Sequence, residues 1–186
     1  MNRLGLALAL VLLPVAAAAD ERGPYVHTFG ALALGDALRL NNPYRLPSRL
    51  GRTQESVSLA APYADVAAAA AFGAPSGFQQ GLVVHASFAL SGIPQTVVTP
   101  SYLALLRRGP LIPYARAGLP FVLRPDRNVG GELALGGIFL FSGAVGVTAE
   151  LGSSLFYGAA TREVSATLVP LPFFQLGVAV DLEVLP

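Results

Sequence analysis

Val145-Gly-Val-Thr-Ala-Glu-Leu-Gly-Ser-Ser-Leu-Phe-Tyr157 is the stretch whose reading decides the fold. One alternating set, Val145, Val147, Ala149, Leu151, Ser153, Leu155 and Tyr157, is mostly apolar. The set between them is Gly146, Thr148, Glu150, Gly152, Ser154 and Phe156. A period of two means extended strand, with successive side chains on opposite faces. Phe174–Val184 repeats the arrangement: Phe174, Leu176, Val178, Val180, Leu182 and Val184 alternate with Gln175, Gly177, Ala179, Asp181 and Glu183. One face is oily and the other is small or charged. Only 12% of the chain is charged and 53% is hydrophobic, whereas a soluble domain carries about 25% charged residues. The charged face is too sparse to coat a soluble exterior. The pattern therefore predicts a barrel whose oily side meets lipid.

The length of 186 residues suits one domain. Residues 1–19 read as a cleaved secretory signal: Arg3, the apolar Leu4–Leu13, then Ala17-Ala18-Ala19 before Asp20. Its apolar part is shorter than the ~20 residues a spanning helix needs. Residues 20–186 form the expected barrel domain, with eleven arginines against eleven acids and no lysine. A net charge near zero excludes a broad electrostatic claim on nucleic acid. The absence of cysteine suits an oxidising compartment, where stray thiols would pair. The expected location is the bacterial outer membrane of a Gram-negative envelope.

Breaker residues divide the chain into apolar segments at about 27–40, 56–72, 79–91, 99–107, 112–122, 130–141, 145–158 and 173–184. These are eight strands, predicting an all-β fold: a single antiparallel up-and-down transmembrane β-barrel. Gly73–Phe78, Arg108–Leu111 and Ser142–Ala144 are short connections, while Asn41–Glu55 and Ala159–Pro172 are long. Short turns at one end and long loops at the other are expected of such barrels. Pro62, Pro113 and Pro120 fall inside proposed strands and predict bulges or strand ends. Near Ala61-Pro62 the alternation changes phase, as a one-residue bulge requires. Leu133–Ala149 is free of charge and long enough to suggest a spanning helix. Its glycines, and the Ser142-Gly143 pair, favour a hairpin instead.

On this reading the lumen receives Asp65, His85, Ser87, Tyr114, Arg116, Glu132, Glu150, Gln175, Asp181 and Glu183. Arg116, Glu132, Glu150 and one of Asp181 or Glu183 are expected at similar depth, as a buried ionic network. Such a network stabilises only if every partner is hydrogen-bonded. Lumen filling is the expected role, ahead of a gate or proton-sensitive plug. An eight-stranded interior is filled by side chains, so no large pore is expected.

The exported start, the hairpin rhythm and the repeats Tyr114-Ala-Arg-Ala-Gly118, Gly131-Glu-Leu-Ala-Leu-Gly136 and Phe174-Gln-Leu-Gly177 resemble the small eight-stranded outer-membrane barrels of the OmpA/OmpX type. The resemblance covers about the whole chain after the signal and is architectural. It implies contact with the barrel assembly machinery. It leaves function open, since members of the class serve as structural links, adhesins, enzymes or narrow channels. The chain departs from the class at its end, Val184-Leu185-Pro186, which lacks the usual final aromatic residue. It has no Trp and six Tyr, a thin supply for aromatic girdles.

His85-Ala86-Ser87 is similar to the His-x-Ser pair of outer-membrane lipid A deacylases, which would imply nucleophilic attack on an ester. In that family the pair faces lipid, whereas the alternation here turns it inward. No acid lies in Gly92–Arg107, and Phe88 replaces the family's Asn. His27 and His85 stand on different strands, so a transition-metal site has little support, and no cofactor is expected. Arg39, Arg45, Arg49, Arg52, Arg124 and Arg127 lie in or beside turn-rich segments. Planar guanidinium groups suit lipopolysaccharide phosphates. The expected role is structural or interactive at the envelope. A soluble periplasmic, lipocalin-like barrel is the alternative, and a lipid-modifying enzyme the third reading.

Overall fold

The computed structural model describes residues 25–40, 49–50, 55–157 and 168–184. The expected signal at 1–19 lies outside them. The described residues form eleven strands, in chain order: β1 Tyr25–Leu40, β2 Arg49–Leu50, β3 Glu55–Leu59, β4 Tyr63–Gly73, β5 Gly77–Ala89, β6 Thr96–Arg107, β7 Leu111–Gly118, β8 Phe121–Arg124, β9 Asn128–Leu140, β10 Val145–Tyr157 and β11 Leu168–Val184. Eight staves, β11-β10-β9-β7-β6-β5-β4-β1, pair in that order, and β11 returns to β1. Every pairing is antiparallel, from Val26↔Val184 to Ala37↔Phe173 at the closure. The barrel therefore has no free edge along its middle, which removes the hazard of unpaired strands. Among the described residues there is no helix, and Leu133–Ala149 is β9, a turn and β10.

The faces partition inside out. Leu32, Leu34, Leu82, Leu133, Leu135, Leu151, Leu176 and Leu182 are 54–69% exposed on the outer surface. Asp65, Arg116, Glu150 and Asp181 are 2–6% exposed within. A soluble barrel would show the reverse, so this is the partition of a transmembrane barrel. The turns at residues 74–76, 108–110 and 141–144 share one end with Tyr25 and Val184, here the terminal end. The connections β5–β6, β8–β9 and β10–β11 share the other, the loop end.

Prolines explain where the staves differ from the expected strands. The segment expected as 56–72 is β3 and β4. Between Leu38↔Leu59 and Gly35↔Tyr63, two residues of β1 face Ala60, Ala61 and Pro62. This is the one-residue bulge that the phase change anticipates. The segment expected as 112–122 breaks at Leu119-Pro120 into β7 and β8, where proline offers no ladder donor. Pro113 stays in β7, opposite Gly137.

The last strand corrects an expectation. It begins at Leu168 rather than at 173, with Pro170 and Pro172 inside it. Both pair with β10, opposite Leu155 and Ser153. The Asp181 N–H points toward β10, donating to Ala144 O at 2.8 Å. Residues of the other parity, both prolines included, face β1. The β1 ladder with β11 ends at Ala37↔Phe173, so at Pro170 and Pro172 no donor is required. Proline in a strand is tolerated at such an edge.

Two lumen glycines let tyrosine rings lie flat across the interior. Gly35 pairs with Tyr63 and Gly136 with Tyr114. A Cβ on Gly136 would sit 2.5 Å from the Tyr114 hydroxyl and 2.8 Å from the Ala149 carbonyl oxygen. Gly136→Ala is expected to destabilise the barrel by about 1–3 kcal/mol, the usual cost of overpacking. Urea unfolding in lipid vesicles measures it, and Gly131→Ala, where a Cβ meets nothing within 4 Å, is the control.

Candidate functional site

The lumen is built in layers, each set by register. At the terminal end, Arg107 on β6 donates from Nη1 to Asp181 Oδ2 at 2.6 Å. His27 Nδ1 lies 3.2 Å from Asp181 Oδ1. The Arg107 guanidinium also stands 5.6 Å from the centre of the Phe29 ring, within cation–π range. Among the described residues, Arg107 Nε and Nη2 and Gln79 Oε1 are buried without a hydrogen-bond partner.

An apolar layer follows, formed by Phe29, Ala67, Ala71, Val83, Leu103, Leu105, Ile112, Ile138 and Ala179. A small void of about 50 Å³ remains in it.

The central layer is ionic. Arg116 on β7 donates from Nε to Glu150 Oε2 at 2.9 Å and from Nη2 to Glu150 Oε1 at 2.7 Å. Its Nη1 donates to Glu132 Oε1 at 2.5 Å and to Ser101 Oγ at 3.3 Å. The bidentate fork on Glu150 is the strong, directional form of this pair. Ser154 donates to Glu132 Oε2. Tyr114 and Gln175 donate to Glu150 at 3.0 Å each. Tyr63 reaches Gln175 Oε1 at 3.4 Å, and Phe173 lies 5.8 Å beneath the guanidinium. The side chains of Arg116, Glu132 and Glu150 are 3%, 8% and 1% exposed. At that burial, charges persist only because each oxygen has a donor.

Asp65, His85 and Ser87 form the next cluster. His85 Nδ1 lies 2.7 Å from Asp65 Oδ1, and Ser87 Oγ donates to Asp65 Oδ2 at 2.7 Å. A carboxylate only accepts, so Nδ1 carries the proton. The acid comes from β4, through the pairings Asp65↔Ser87 and Ala67↔His85. It is upstream of the pair, not in Gly92–Arg107. Asp65 bridges both groups, so the serine hydroxyl is held by the acid rather than by the imidazole. A nucleophile needs its base as hydrogen-bond partner, and this arrangement withholds it.

Above these groups, at the loop end, lies a cavity of about 110 Å³. Its walls include Ala37, Ala60, Ala61, Ala89, Val97, Pro120, Phe156, Leu171 and Phe173, and Arg39 stands at its rim.

The structure thus brings together Arg116, Glu132 and Glu150, and separately Asp65 and His85. It corrects the expectation that Asp181 or Glu183 joins the first group. Asp181 is at the terminal end with Arg107 and His27, and Glu183, opposite His27, is exposed at the mouth. Glu150 lies opposite Gln175, six residues nearer the loop end than Asp181. Arg124 and Arg127 are exposed at the loop end. Arg45, Arg52 and the side chain of Arg49 lie outside the described residues. Tyr63, Ser101, Ser154 and Arg107 are site members that sequence reading did not single out, and His27 is weighed there only as a metal ligand. The parity of Ser101, Leu103 and Leu105 already points Arg107 inward.

No protein family and no curated protein matches the sequence. Among solved structures, the chain is similar to the Neisserial surface protein A, with a TM-score of 0.50 at 12% identity, covering 86% of this chain and 99% of that one. A de novo designed transmembrane β-barrel matches with a TM-score of 0.48 at 12% identity, covering 85% and 95%. The outer membrane protein OprG of Pseudomonas aeruginosa matches with a TM-score of 0.41 at 11% identity, covering 87% and 96%. At such identities the likeness is one of architecture: this chain has the fold of the small eight-stranded outer-membrane β-barrels.

Proposed function

We propose that the protein is a small outer-membrane β-barrel with a filled, partly charged lumen. It serves a structural or surface-interaction role without catalysis and without a large pore. The observation that carries this reading is the partition itself, with leucines outward and ion pairs inward. The apolar layer and the Arg116 layer supply the lumen filling, as side chains do in barrels of this size. The exposed Arg124 and Arg127 favour lipopolysaccharide phosphates as contacts, and the barrel assembly machinery is the partner for insertion. A lipocalin-like soluble barrel is disfavoured by the same partition, because its ligand would need the oily face inside. A deacylase is disfavoured by the bridging position of Asp65.

Fractionation combined with gel migration tests the location. The protein should stay with washed outer membranes until detergent is added, and should migrate differently before and after boiling. Recovery from washed cells without detergent would sink the reading. In planar bilayers the folded protein should give no stable porin-sized current, and a steady current of that size would mean an open lumen.

A further inference from the structure

The floor of the loop-end cavity is rich in acceptors and most donors there are engaged, while Gln95 and Thr99 stand on its wall. Ser87 gives its proton to Asp65, Ser154 to Glu132, and Gln175 its amide to Glu150. Four of the five N–H groups of Arg116 are engaged. His85 is 7% exposed and lines the cavity. Its Nδ1 faces Asp65, and its Nε2 has no hydrogen bond among the described residues. In the tautomer that carries its proton on Nδ1, Nε2 is one more acceptor.

The charge has the same sign. Glu132 and Glu150 share the single guanidinium of Arg116, which leaves one negative charge uncompensated, and Asp65 adds a further carboxylate. Among the described residues that line the rim the cation is Arg39, whose backbone stands six residues further along β1 than Ala33, the partner of Asp65. At the rise of a strand that sets its Cα about 20 Å along β1 from Ala33. Between floor and rim the walls are mostly alanine, valine, proline and phenylalanine. The cavity of about 110 Å³ far exceeds the ~10–15 Å³ that one water requires.

We propose that this cavity is a binding site for a primary ammonium ion carrying a short apolar chain. The ammonium N–H groups meet Asp65, Glu132 and His85 Nε2, and the chain lies along Ala61, Ala89 and Phe156. An anion finds carboxylates at the floor and is rejected. A neutral alcohol satisfies one acceptor and leaves the charge unmatched.

Titration calorimetry on the full-length barrel folded in detergent micelles tests this, with protein-free micelles as the blank. At pH 8 the probes are n-butylammonium, n-butanol and n-butyrate. Butylammonium should bind at one site, butanol about tenfold more weakly, and butyrate not at all, since the alcohol forgoes a charge-assisted hydrogen bond. Asp65→Asn should weaken butylammonium about tenfold, while Glu183→Gln at the opposite mouth should leave it unchanged. If Asp65→Asn does not fold, Ala89→Phe fills the cavity from its wall and should abolish binding. Butyrate binding as tightly as butylammonium, no heat from butylammonium beyond the blank, or unaltered binding in the cavity variants each overturns the proposal.

Discussion

Arg116→Met is expected to lower the unfolding free energy by about 3–5 kcal/mol, the usual consequence of breaking a buried ion pair from one side. Loss of the guanidinium strips Glu150 of two donors and Glu132 of one. Tyr114, Gln175 and Ser154 remain, but among the described residues no cation pairs with either carboxylate. Two buried carboxylates then face each other without compensation. The triple variant Arg116→Met, Glu132→Gln, Glu150→Gln removes the charges together and should recover most of the loss, because a neutral polar layer no longer carries an unpaired ion. Arg116→Lys should fall between wild type and the single variant, since an ammonium keeps the charge but not the two-pronged fit to Glu150. Arg127→Met, on the exposed loop end, should change stability by no more than about 0.5 kcal/mol. Urea unfolding in lipid vesicles reads all four. A single variant within about 1 kcal/mol of wild type, or a triple variant no better than the single, would show that the layer does not hold the barrel together.

That layer is partly legible in the sequence. Period-two alternation in β7, β9 and β10 turns Arg116, Glu132 and Glu150 to one face, and their strands are neighbours in a meander. What alternation cannot supply is depth. Two inward residues on adjacent strands meet only if the register brings them level, and register follows from turn lengths, bulges and the shear of the closed barrel. Asp181 illustrates this. It points inward as expected, yet the β10–β11 register places it six residues from Gln175, at the terminal end with Arg107. Asp65 illustrates the reverse. Nothing local in the sequence connects it to His85 and Ser87, twenty residues on, but a short hairpin at residues 74–76 folds β4 onto β5 and sets Asp65 opposite Ser87.

Proline was informative in one place and misleading in another. At Ala61-Pro62 a change of phase accompanied it, so the bulge could be read. At Pro170 and Pro172 the breaker reading shortened β11 by five residues. The sequence carries no sign that β1 leaves β11 at Ala37 and frees that edge of its need for donors. Strand ends depend on a neighbour that lies more than 130 residues away in the chain, which is why local pattern fixes the middle of each stave better than its tips.

Leu151→Arg tests the orientation on which the membrane assignment depends. Leu151 is the central residue of the thirteen in β10, points outward and is 63% exposed. Its neighbours across the ladders are Leu135 and Phe174, both on the same outer face. If that face meets hydrocarbon, an arginine here stands near the midplane and should destabilise the folded barrel in vesicles by about 2–4 kcal/mol. A position near the interface should tolerate the same change at about 0–1 kcal/mol; Tyr157→Arg, at the loop end of the strand and 64% exposed, provides it. The two sites have nearly equal exposure, so an aqueous surface would treat them alike and neither substitution would cost much. The difference between them is therefore the quantity to measure. A graded loss, large at residue 151 and small at 157, requires a solvent whose polarity changes along the strand, and a bilayer supplies one. Equal and negligible effects would place Leu135, Leu151 and Phe174 against water, where a row of bulky apolar groups has no reason to stand.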